Sequence, residues 1–247
     1  MLSDPKRSEG PSPCCECCLF RSWQFLRVQL TLLFMNILVT AGPTREAVDP
    51  VRFLSNRSTG KMGYAIASVA VKRGHTVKLI SGPVSLSDPP GVEVSRVTTA
   101  AEMLEAVQSG FPWCNALVMS AAVADWKPKA VSAQKLKKSD MSAVLELERT
   151  VDILQAVTRS ESNQIMVGFA AETENLLTEA RRKRVAKGLD LVVANDVSQT
   201  DAGFEVDSNR VTFVPDRGEP TALPLMSKVD VAEHLLLWIE ARSGDSA

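Results

Sequence analysis

Residues 37–63 have the sequence ILVTAGPTREAVDPVRFLSNRSTGKMG, and this stretch decides the fold. Its first four residues are a short apolar run typical of a buried strand, which Gly42 and Pro43 end. A long polar loop follows, and helical sequence begins only after Gly60. Proteins of the α/β class hold phosphate with a strand, a glycine-bearing turn and a helix in this order, because free N–H groups and the positive end of the helix dipole face the anion.

The loop between this strand and helix matches neither of two common phosphate-binding motifs. No GxGxxG follows the strand, and Gly60 lacks the upstream glycine and the downstream Ser or Thr of a Walker A loop. The loop contains polar residues that are costly to order: Arg45, Asp49, Arg52, Asn56 and Arg57. Long ordered loops in compact domains are usually functional. Two interpretations therefore stay open, a binding loop and a solvated surface loop followed by an ordinary helix cap.

Composition and charge limit the compartment and the classes of partner. The chain has 247 residues and a formal net charge of −1, which argues against nucleic acid, since nucleic-acid binding usually needs a strongly basic surface. Four of the five cysteines crowd into CCECC at residues 14–18, unlike a disulfide framework, so we expect a reducing, cytoplasmic location. Zinc is disfavoured because His75 and His234 lie far from that cluster in the chain.

Residues 1–34 differ in character from the rest of the chain. The apolar stretch 30–38 is shorter than the ~20 residues that span a bilayer, and its end belongs to the first predicted strand, so we expect no membrane partner. No small-residue cleavage site follows it, which disfavours a signal peptide. Either a start codon upstream of the natural start at Met35 or a disordered leader explains these residues, and 35–247 are predicted to form one domain.

Strand and helix patterns alternate along most of the remaining chain. Strands are predicted at 76–80, 92–97, 116–120, 145–148, 165–169 and 189–194, and helices at 61–73, 99–108, 151–159 and 174–187. Right-handed crossovers turn such a repeat into a Rossmann-like, doubly wound and mostly parallel α/β sheet. A C-terminal β ribbon or hairpin, with a role in dimerisation, is predicted at about 205–225, before a last helix capped by Ser227.

Three loops are expected to meet at one edge of this sheet, after residues 40, 120 and 169. In doubly wound sheets ligands bind outside the carboxyl ends of the strands. The second loop leads into a lysine-rich flap that contains Lys127, Lys129, Lys135, Lys137 and Lys138. Such a run of lysines is usually a solvated surface, and the alternative at this edge is a mobile lid over phosphates.

Five motifs, in order along the chain, resemble those of phosphopantothenoylcysteine synthetase. They are VTAGPTREAVDPVRFLSNRSTGKMG at 39–63, AAVADW at 121–126, KLKK at 135–138, GFAAET at 168–173 and ANDVS at 194–198, and the similarity covers residues 36–242. The resemblance implies a Rossmann-like homodimer that joins 4′-phosphopantothenate to L-cysteine in coenzyme A biosynthesis. It also implies that CTP, with Mg²⁺, activates the carboxylate as an acyl cytidylate with release of pyrophosphate. The cysteine amine then displaces CMP.

The resemblance also assigns residues to these steps. It implies that Lys135 acts in cytidylate formation and that Arg52 and Asn56 hold the pantothenoyl group for the second half-reaction. Substrate contacts are implied for Ala121 and Ala122 as well, and no metal ligands are identified. The implied nucleotide-binding set is larger: Gly42, Ser58, Gly60, Gly63, Met119, Ser120, Ala121, Asp125, Lys135, Thr150, Val151, Asp152, Ile153, Phe169, Lys183 and Lys187.

The sequence departs from the family pattern at several points. Residues 150–153 are Thr-Val-Asp-Ile where the family usually has Asn-Pro-Asp-Ile, and Trp126 stands where it usually has Tyr. Residues 1–34 are too few for a flavin fold, so we expect no flavin and no decarboxylation by this chain. A separate phosphopantothenoylcysteine decarboxylase is the expected enzyme for the product.

Three alternatives remain for the activity. An ATP-using version of the same ligase would differ only in its contacts to the base. A Rossmann-type NAD(P)-dependent oxidoreductase is disfavoured because Ser81 and Gly82, and no acidic residue, end the second predicted strand. A non-catalytic nucleotide sensor is disfavoured because Asn56 and Lys135 are retained.

Overall fold

The apolar run at 37–40 lies near the centre of an eight-stranded sheet in a computed structural model of the chain. The structure describes residues 34–137, 144–157, 159, 164–172, 174–196, 203 and 206–244. The predicted leader therefore lies outside the described residues, except for Phe34. The same holds for four residues of the predicted motifs: Lys138, Thr173, Val197 and Ser198.

The described ranges contain strands and helices in the following chain order. The strands are β1 (Asn36–Ala41), β2 (Arg45–Ala47), β3 (Phe53–Ser55), β4 (Thr76–Ser81), β5 (Glu93–Arg96), β6 (Ala116–Met119), β7 (Trp126–Pro128), β8 (Leu147–Arg149), β9 (Ile165–Glu172), β10 (Leu191–Asp196), β11 (Ser208–Asn209), β12 (Val211–Pro215), β13 (Thr221–Ala222) and β14 (Met226–Ser227). The helices are α1 (Lys61–Lys72), α2 (Ala100–Gly110), α3 (Ile153–Ala156), α4 (Leu176–Ala186) and α5 (Lys228–Gly244), with a 3₁₀ turn at Phe111–Trp113.

The large sheet has the strand order β13-β12-β10-β9-β6-β1-β4-β5. The six strands from β10 to β5 are parallel, and β12 and β13 are antiparallel at one edge. The parallel strands follow the order of a dinucleotide-binding Rossmann fold, and the winding reverses between β1 and β6. The predicted doubly wound, mostly parallel α/β sheet is therefore confirmed.

Successive side chains of β1 pack into two separate cores, one on each face of the sheet. Ile37 and Val39 belong to the core that α1 and α5 cover, whereas Leu38 belongs to the core that α2, α3 and α4 cover. All three are almost fully buried. Burial on both faces explains why the central strands are nearly continuous apolar runs instead of alternating ones.

One predicted helix is much shorter than expected. The helix predicted at 151–159 is reduced to α3, and Val157 is already extended. The Thr150 hydroxyl donates to the Ala124 carbonyl at 2.6 Å, so the chain before α3 is attached to the loop after β6 and is not free to join the helix. No helix in the described part of the chain combines the length and the apolar character that crossing a membrane requires.

The predicted C-terminal hairpin is present as β12 and β13. It does not stand alone, because β12 pairs with β10 and extends the large sheet. Val211 and Phe213 are buried in the core, which explains the attachment. Two other small antiparallel ribbons occur where the sequence predicts a polar loop and a flap. They are β2–β3, in the loop after β1, and β7–β8, which bounds the lysine-rich segment.

Candidate functional site

A cavity of about 670 Å³ lies at the carboxyl ends of the central strands, beside the switch point between β1 and β6. This is the place and the size range in which Rossmann-type sheets bind ligands. Most of the predicted site residues line the cavity: Asn56, Ser58, Gly60, Gly63, Met119, Ser120, Ala121, Ala122, Asp125, Thr150, Val151, Asp152, Ile153, Phe169, Lys183 and Lys187. Asn195 of the ANDVS motif lines it as well, so four of the five motifs contribute residues to one cavity.

The loops after β1 and β6 are joined to each other beyond the ends of the strands. The Ala122 N–H donates to the Gly42 carbonyl at 2.9 Å, and Pro43 and Ala122 form a parallel bridge. The buried Thr44 hydroxyl accepts a hydrogen bond from the Ala124 N–H at 2.9 Å. These bonds occupy the backbone groups beneath the cavity, so its floor is formed before any ligand binds.

Helix α1 begins unusually close to that floor. A Cβ on Gly63 would lie 2.5 Å from the Ala41 Cβ and 2.7 Å from the Ser120 Oγ, so only glycine allows this approach. Gly42 and Gly60 have φ of 77° and 79°, a backbone conformation that favours glycine. No described side chain caps α1, and its first turn has no acidic residue. The first N–H groups of this helix are consequently suited to an anion.

Asn56 is held by the loop after β6. Its side-chain amide donates to the Ala122 carbonyl at 3.0 Å and to the Val123 carbonyl at 3.1 Å. These two bonds engage the nitrogen, so the side-chain oxygen is the atom through which Asn56 can accept a hydrogen bond from a ligand. The residue itself is exposed at the edge of the cavity.

Two lysines of α4 and its C-terminal end bring positive charge to the opposite side of the cavity. The Lys187 ammonium is 2.7 Å from an Asp152 carboxylate oxygen, and the Lys183 ammonium donates to the Phe169 carbonyl at 2.6 Å. Burial lowers the pKa of Lys183, and the charge of Lys187 lowers it further. A bound phosphate would oppose both effects by favouring the ammonium form.

A third lysine near the cavity was missed by the sequence predictions. Lys228 is only 6% exposed, and its ammonium lies within hydrogen-bonding distance of four oxygens of Gly203, Val206, Ser208 and Asn209. Burial, and then the neighbouring charge of Lys61, lower the pKa of Lys228 to about 8. Lys61 is itself paired with Asp207 at 2.6 Å. No sequence signal indicates that the first lysine of a C-terminal helix is buried among backbone oxygens beside the cavity.

Other missed residues did have a signal. Lys61 follows Gly60 directly, and Asn195 belongs to the ANDVS motif, so both lie inside stretches that the sequence analysis had selected. Arg149 and Trp126 also line the cavity, and the Arg149 guanidinium stacks 4.9 Å from the centre of the Trp126 ring. This cation–π pair joins β7 to β8 across their ribbon.

Three predicted site residues are not among the described residues that line the cavity: Gly42, Arg52 and Lys135. Gly42 lies just below it, where its Cα would be 3.4 Å from a Cβ built on Gly60. Arg52 is instead bonded to Asp49 and to the Leu136 carbonyl, and Lys135 is an exposed neighbour of Leu136. The structure therefore links Arg52 and Lys135 to each other through one peptide segment.

The residues around the cavity do not fit a metal cage built from protein alone. Among the described residues there is no group of three His, Cys, Asp or Glu side chains suited to a metal ion. The carboxylates in the cavity lining are Asp125 and Asp152, and Asp152 is already paired with Lys187. They do fit Mg²⁺ held mainly by phosphate oxygens and water, which is how this ion usually binds, with Asp125 as the remaining carboxylate.

Fold and cavity together define a Rossmann-like α/β protein with a ligand site at its switch point, lined by a helix N-terminus and lysines. Within that class, residues 32–242 match the family described as the DNA/pantothenate metabolism flavoprotein C-terminal domain, and the chain belongs to this family. The resemblance drawn from the five motifs is thereby confirmed.

Curated relatives are bacterial proteins named coenzyme A biosynthesis bifunctional protein CoaBC. The one from Bacillus subtilis (strain 168) is 52% identical over 209 residues, which cover 84% of this chain and 52% of that protein. The one from Escherichia coli (strain K12) is 44% identical over 215 residues, which cover 85% and 53%. The chain thus spans about half the length of the curated relatives it matches.

Solved structures give the same result for the fold. The C-terminal domain of a CoaBC protein has a TM-score of 0.73 and 43% identity, and the match covers 85% of this chain and 96% of that domain. A DNA/pantothenate metabolism flavoprotein from Streptococcus pneumoniae has a TM-score of 0.71 and 27% identity, with 84% and 99% coverage. The matched part of this chain therefore corresponds to nearly the whole C-terminal domain of the CoaBC protein.

Proposed function

We propose that this chain is the phosphopantothenate–cysteine ligase of coenzyme A biosynthesis and that it uses CTP. The observation that carries the proposal is the meeting of four family motifs at one cavity beside the switch point. Similarity to proteins whose names specify coenzyme A biosynthesis, and to the C-terminal domain of one of them, supports it. In this proposal the residue roles implied by the resemblance apply to this chain.

In the first half-reaction the triphosphate of CTP lies against the N-terminus of α1. The helix N–H groups and the ammonium groups of Lys183 and Lys187 hold the phosphates, and the floor under Gly63 fixes their position. A carboxylate oxygen of 4′-phosphopantothenate attacks the α-phosphorus, and the bond to the departing pyrophosphate breaks. Lys135 approaches from the lysine-rich segment and neutralises charge that builds up on the phosphate oxygens.

Magnesium enters this proposal as a partner of the triphosphate. When bound, Mg²⁺ neutralises phosphate charge and favours the departure of pyrophosphate. Asp125 is the side chain of this protein that would help to hold it, because Asp152 is paired with Lys187. Phosphate oxygens and water would supply the other ligands of the ion.

In the second half-reaction the amine of L-cysteine attacks the carbonyl carbon of the acyl cytidylate. The new C–N bond replaces the bond from that carbon to the phosphate oxygen, CMP departs, and the nitrogen loses a proton. The Asn56 oxygen accepts a hydrogen bond from the pantothenoyl amide, because its nitrogen is already engaged by the loop after β6. Holding the acyl group in this way orients it for attack.

We also propose a cytoplasmic homodimer that works with a separate phosphopantothenoylcysteine decarboxylase. Large apolar side chains on the two small ribbons support a second copy as the partner. Val51, Phe53 and Trp126 are 59%, 49% and 44% exposed. Leu147, the first residue of β8, and Leu145, two residues before it, are 43% and 42% exposed. The ribbons are therefore better candidates for the dimer contact than the hairpin at 205–225. Light scattering tests the dimer, because a molar mass equal to that of one chain would contradict it.

The direct test of the proposed function measures pyrophosphate release by the purified chain with Mg²⁺. We expect release with CTP and 4′-phosphopantothenate, and formation of 4′-phosphopantothenoylcysteine and CMP once L-cysteine is added. Replacing Lys135 by Gln should lower the rate of pyrophosphate release at least ~100-fold, since one charged transition-state donor is lost. ATP in place of CTP tests the choice of base.

The matched control for this test is Lys129→Gln. Lys129 belongs to the same lysine-rich segment, is 65% exposed, and is paired only loosely with Glu146 at 3.5 Å. It should retain wild-type activity within about 2-fold, because an exposed pair of this kind contributes little. Absence of CMP and of a new amide with all three reactants present would contradict the proposed ligase, and an NADPH-binding signal would favour an oxidoreductase.

A further inference from the structure

Asp49 is a buried carboxylate in the loop between β2 and β3, far in sequence from the lysine-rich segment. Its side chain has no exposed surface, and both of its oxygens accept hydrogen bonds. One oxygen accepts the backbone N–H groups of Val51 and Arg52, each at 2.8 Å. The other accepts Nε of Arg52 at 3.0 Å and Nη2 at 2.5 Å. This carboxylate therefore orders its own loop and the guanidinium of Arg52 together.

The same pair holds a peptide segment that is 87 residues away in the chain. The Leu136 N–H donates to an Asp49 carboxylate oxygen at 3.2 Å, and the Leu136 carbonyl accepts Nη2 of Arg52 at 2.8 Å. Both backbone groups of one residue are thus held by one ion pair. The Ser132 N–H also donates to the Val48 carbonyl at 3.1 Å, so a second bond joins the two segments nearby.

Leu136 lies between Lys135 and Lys137. We infer that Asp49 is a positioning residue for the ligase reaction, because through Arg52 and the Leu136 backbone it fixes the segment that presents Lys135. The inference rests on the proposed function for the role of Lys135. It also gives Arg52 a second role, besides its proposed contact with the pantothenoyl group, because its guanidinium holds the lysine segment through the Leu136 carbonyl.

The charge state of the clamp formed by Asp49, Arg52 and the Leu136 backbone suits this role. The Arg52 guanidinium, together with backbone N–H groups, holds the pKa of the Asp49 carboxyl well below its usual range. The carboxylate therefore stays ionised at every pH near neutrality, and the clamp does not open by titration. Charge-assisted hydrogen bonds of this kind are stronger and more directional than neutral ones.

Two pairs of variants separate the clamp from its surroundings. Asp49→Asn removes the charge, and its control is Asp88→Asn, which breaks an exposed pair with Arg96 elsewhere in the molecule. Leu136→Pro removes the N–H that Asp49 binds without changing any charge, and its control is Leu136→Ala, which keeps that N–H. Each variant is measured for kcat and for KM of CTP in pyrophosphate release, and for hydrogen exchange of the peptide 130–137.

We expect Asp49→Asn and Leu136→Pro each to lower kcat by 10- to 100-fold, the range for a small misplacement of a reacting group. The KM for CTP should change less than about 3-fold, because the cavity floor does not involve these residues. Asp49→Asn should also speed exchange of the 130–137 peptide about 10-fold or more. Asp88→Asn should stay within about 2-fold of the wild type because it lies outside the clamp, and Leu136→Ala because it keeps both backbone groups that the clamp binds.

The outcomes distinguish failure of the inference from failure of the proposed function. If the wild type releases no pyrophosphate, the ligase proposal fails, and the exchange rate of Asp49→Asn against Asp88→Asn still decides whether the clamp exists. If the wild type is active and Leu136→Pro matches Leu136→Ala in kcat, the positioning role is wrong. An equal rise of KM and fall of kcat in Asp49→Asn would indicate general loss of structure and would also count against it.

Discussion

The floor and the margin of the cavity are held in place by different kinds of contact. The floor (residues 40–43, 60–63 and 119–122) is fixed by parallel backbone bonds and by close approach at glycine. The margin (residues 49–52 and 135–137, which lie outside the cavity lining, and residues 206–209) is fixed by a few buried or half-buried charged side chains that hold backbone oxygens and N–H groups. In the proposed function the floor would contribute to phosphate binding, and the margin would carry the reacting lysine.

This difference has a functional consequence. A steric floor keeps its geometry with or without ligand, because buried glycines and paired backbone groups leave no room for small adjustments. A margin held by single charged groups can be released by the loss of one bond, since few other contacts hold it. Under the proposed function, a nucleotide would bind to a fixed surface, while the position of the segment that carries Lys135 would depend on local polar contacts.

The largest expected effect comes from crowding the floor with Gly63→Ala. The added methyl would lie 2.5 Å from the Ala41 Cβ and 2.9 Å from the Thr40 carbonyl oxygen. Overpacking of this kind should lower the free energy of unfolding by about 1–3 kcal/mol, although alanine favours helix. Urea denaturation followed by circular dichroism measures it.

The control for that change is Gly244→Ala. Gly244 is also helical, and a Cβ there would meet nothing within 4 Å. Its free energy of unfolding should stay the same or rise by up to about 1 kcal/mol, the helix propensity difference. Equal effects for the two substitutions would show that the floor is less crowded than its geometry indicates.

A smaller effect, with a distinct pH dependence, is expected at the margin from Lys228. Its pKa in the folded chain is about 8, below the ordinary 10.5, because burial and Lys61 disfavour the ammonium. Between these two values the unfolded chain binds more protons, so the free energy of unfolding of the wild type rises with pH. We expect the free energy of unfolding of the wild type, minus that of Lys228→Met, to increase by about 1–2 kcal/mol from pH 8 to pH 9.5.

Denaturation at several pH values tests this sign directly. Lys72→Met, which removes an exposed lysine at the end of α1, serves as the control for the loss of one positive charge. A difference between wild type and Lys228→Met that stays constant, or falls, across the window would contradict the burial of a charged lysine at the margin.

The floor could be predicted from sequence far better than the margin. The apolar run at 37–40 and the glycines at 42, 60 and 63 are local signals, and they predicted the strand, the turn and the helix start correctly. The margin depends on contacts between distant residues, such as Asp49 with Leu136, and no local pattern contains them. The placement of Arg52 and Lys135 away from the cavity lining follows from those contacts.

Other differences have the same physical origin. Lys228 looks like an ordinary first residue of an amphipathic helix, and only the fold brings the oxygens of 203–209 around its ammonium. The helix predicted at 151–159 begins only at Ile153, because a hydroxyl bond attaches Thr150 to the loop after β6 and Asp152 is extended. Periodicity reports burial of a face, whereas these outcomes depend on single polar bonds across the fold.

The smallest effect should come from an exposed charge beside the margin, which distinguishes buried charges from solvated ones. Glu146 and Lys129 are 74% and 65% exposed and 3.5 Å apart, next to the segment that carries Lys135. Glu146→Gln should change the free energy of unfolding by less than about 0.5 kcal/mol, because water screens such pairs. The remaining effect should vanish in 1 M salt. A loss larger than that of Gly63→Ala would mean that solvated pairs also hold the ribbons, and the contrast between a packed floor and a margin fixed by buried charges would no longer stand.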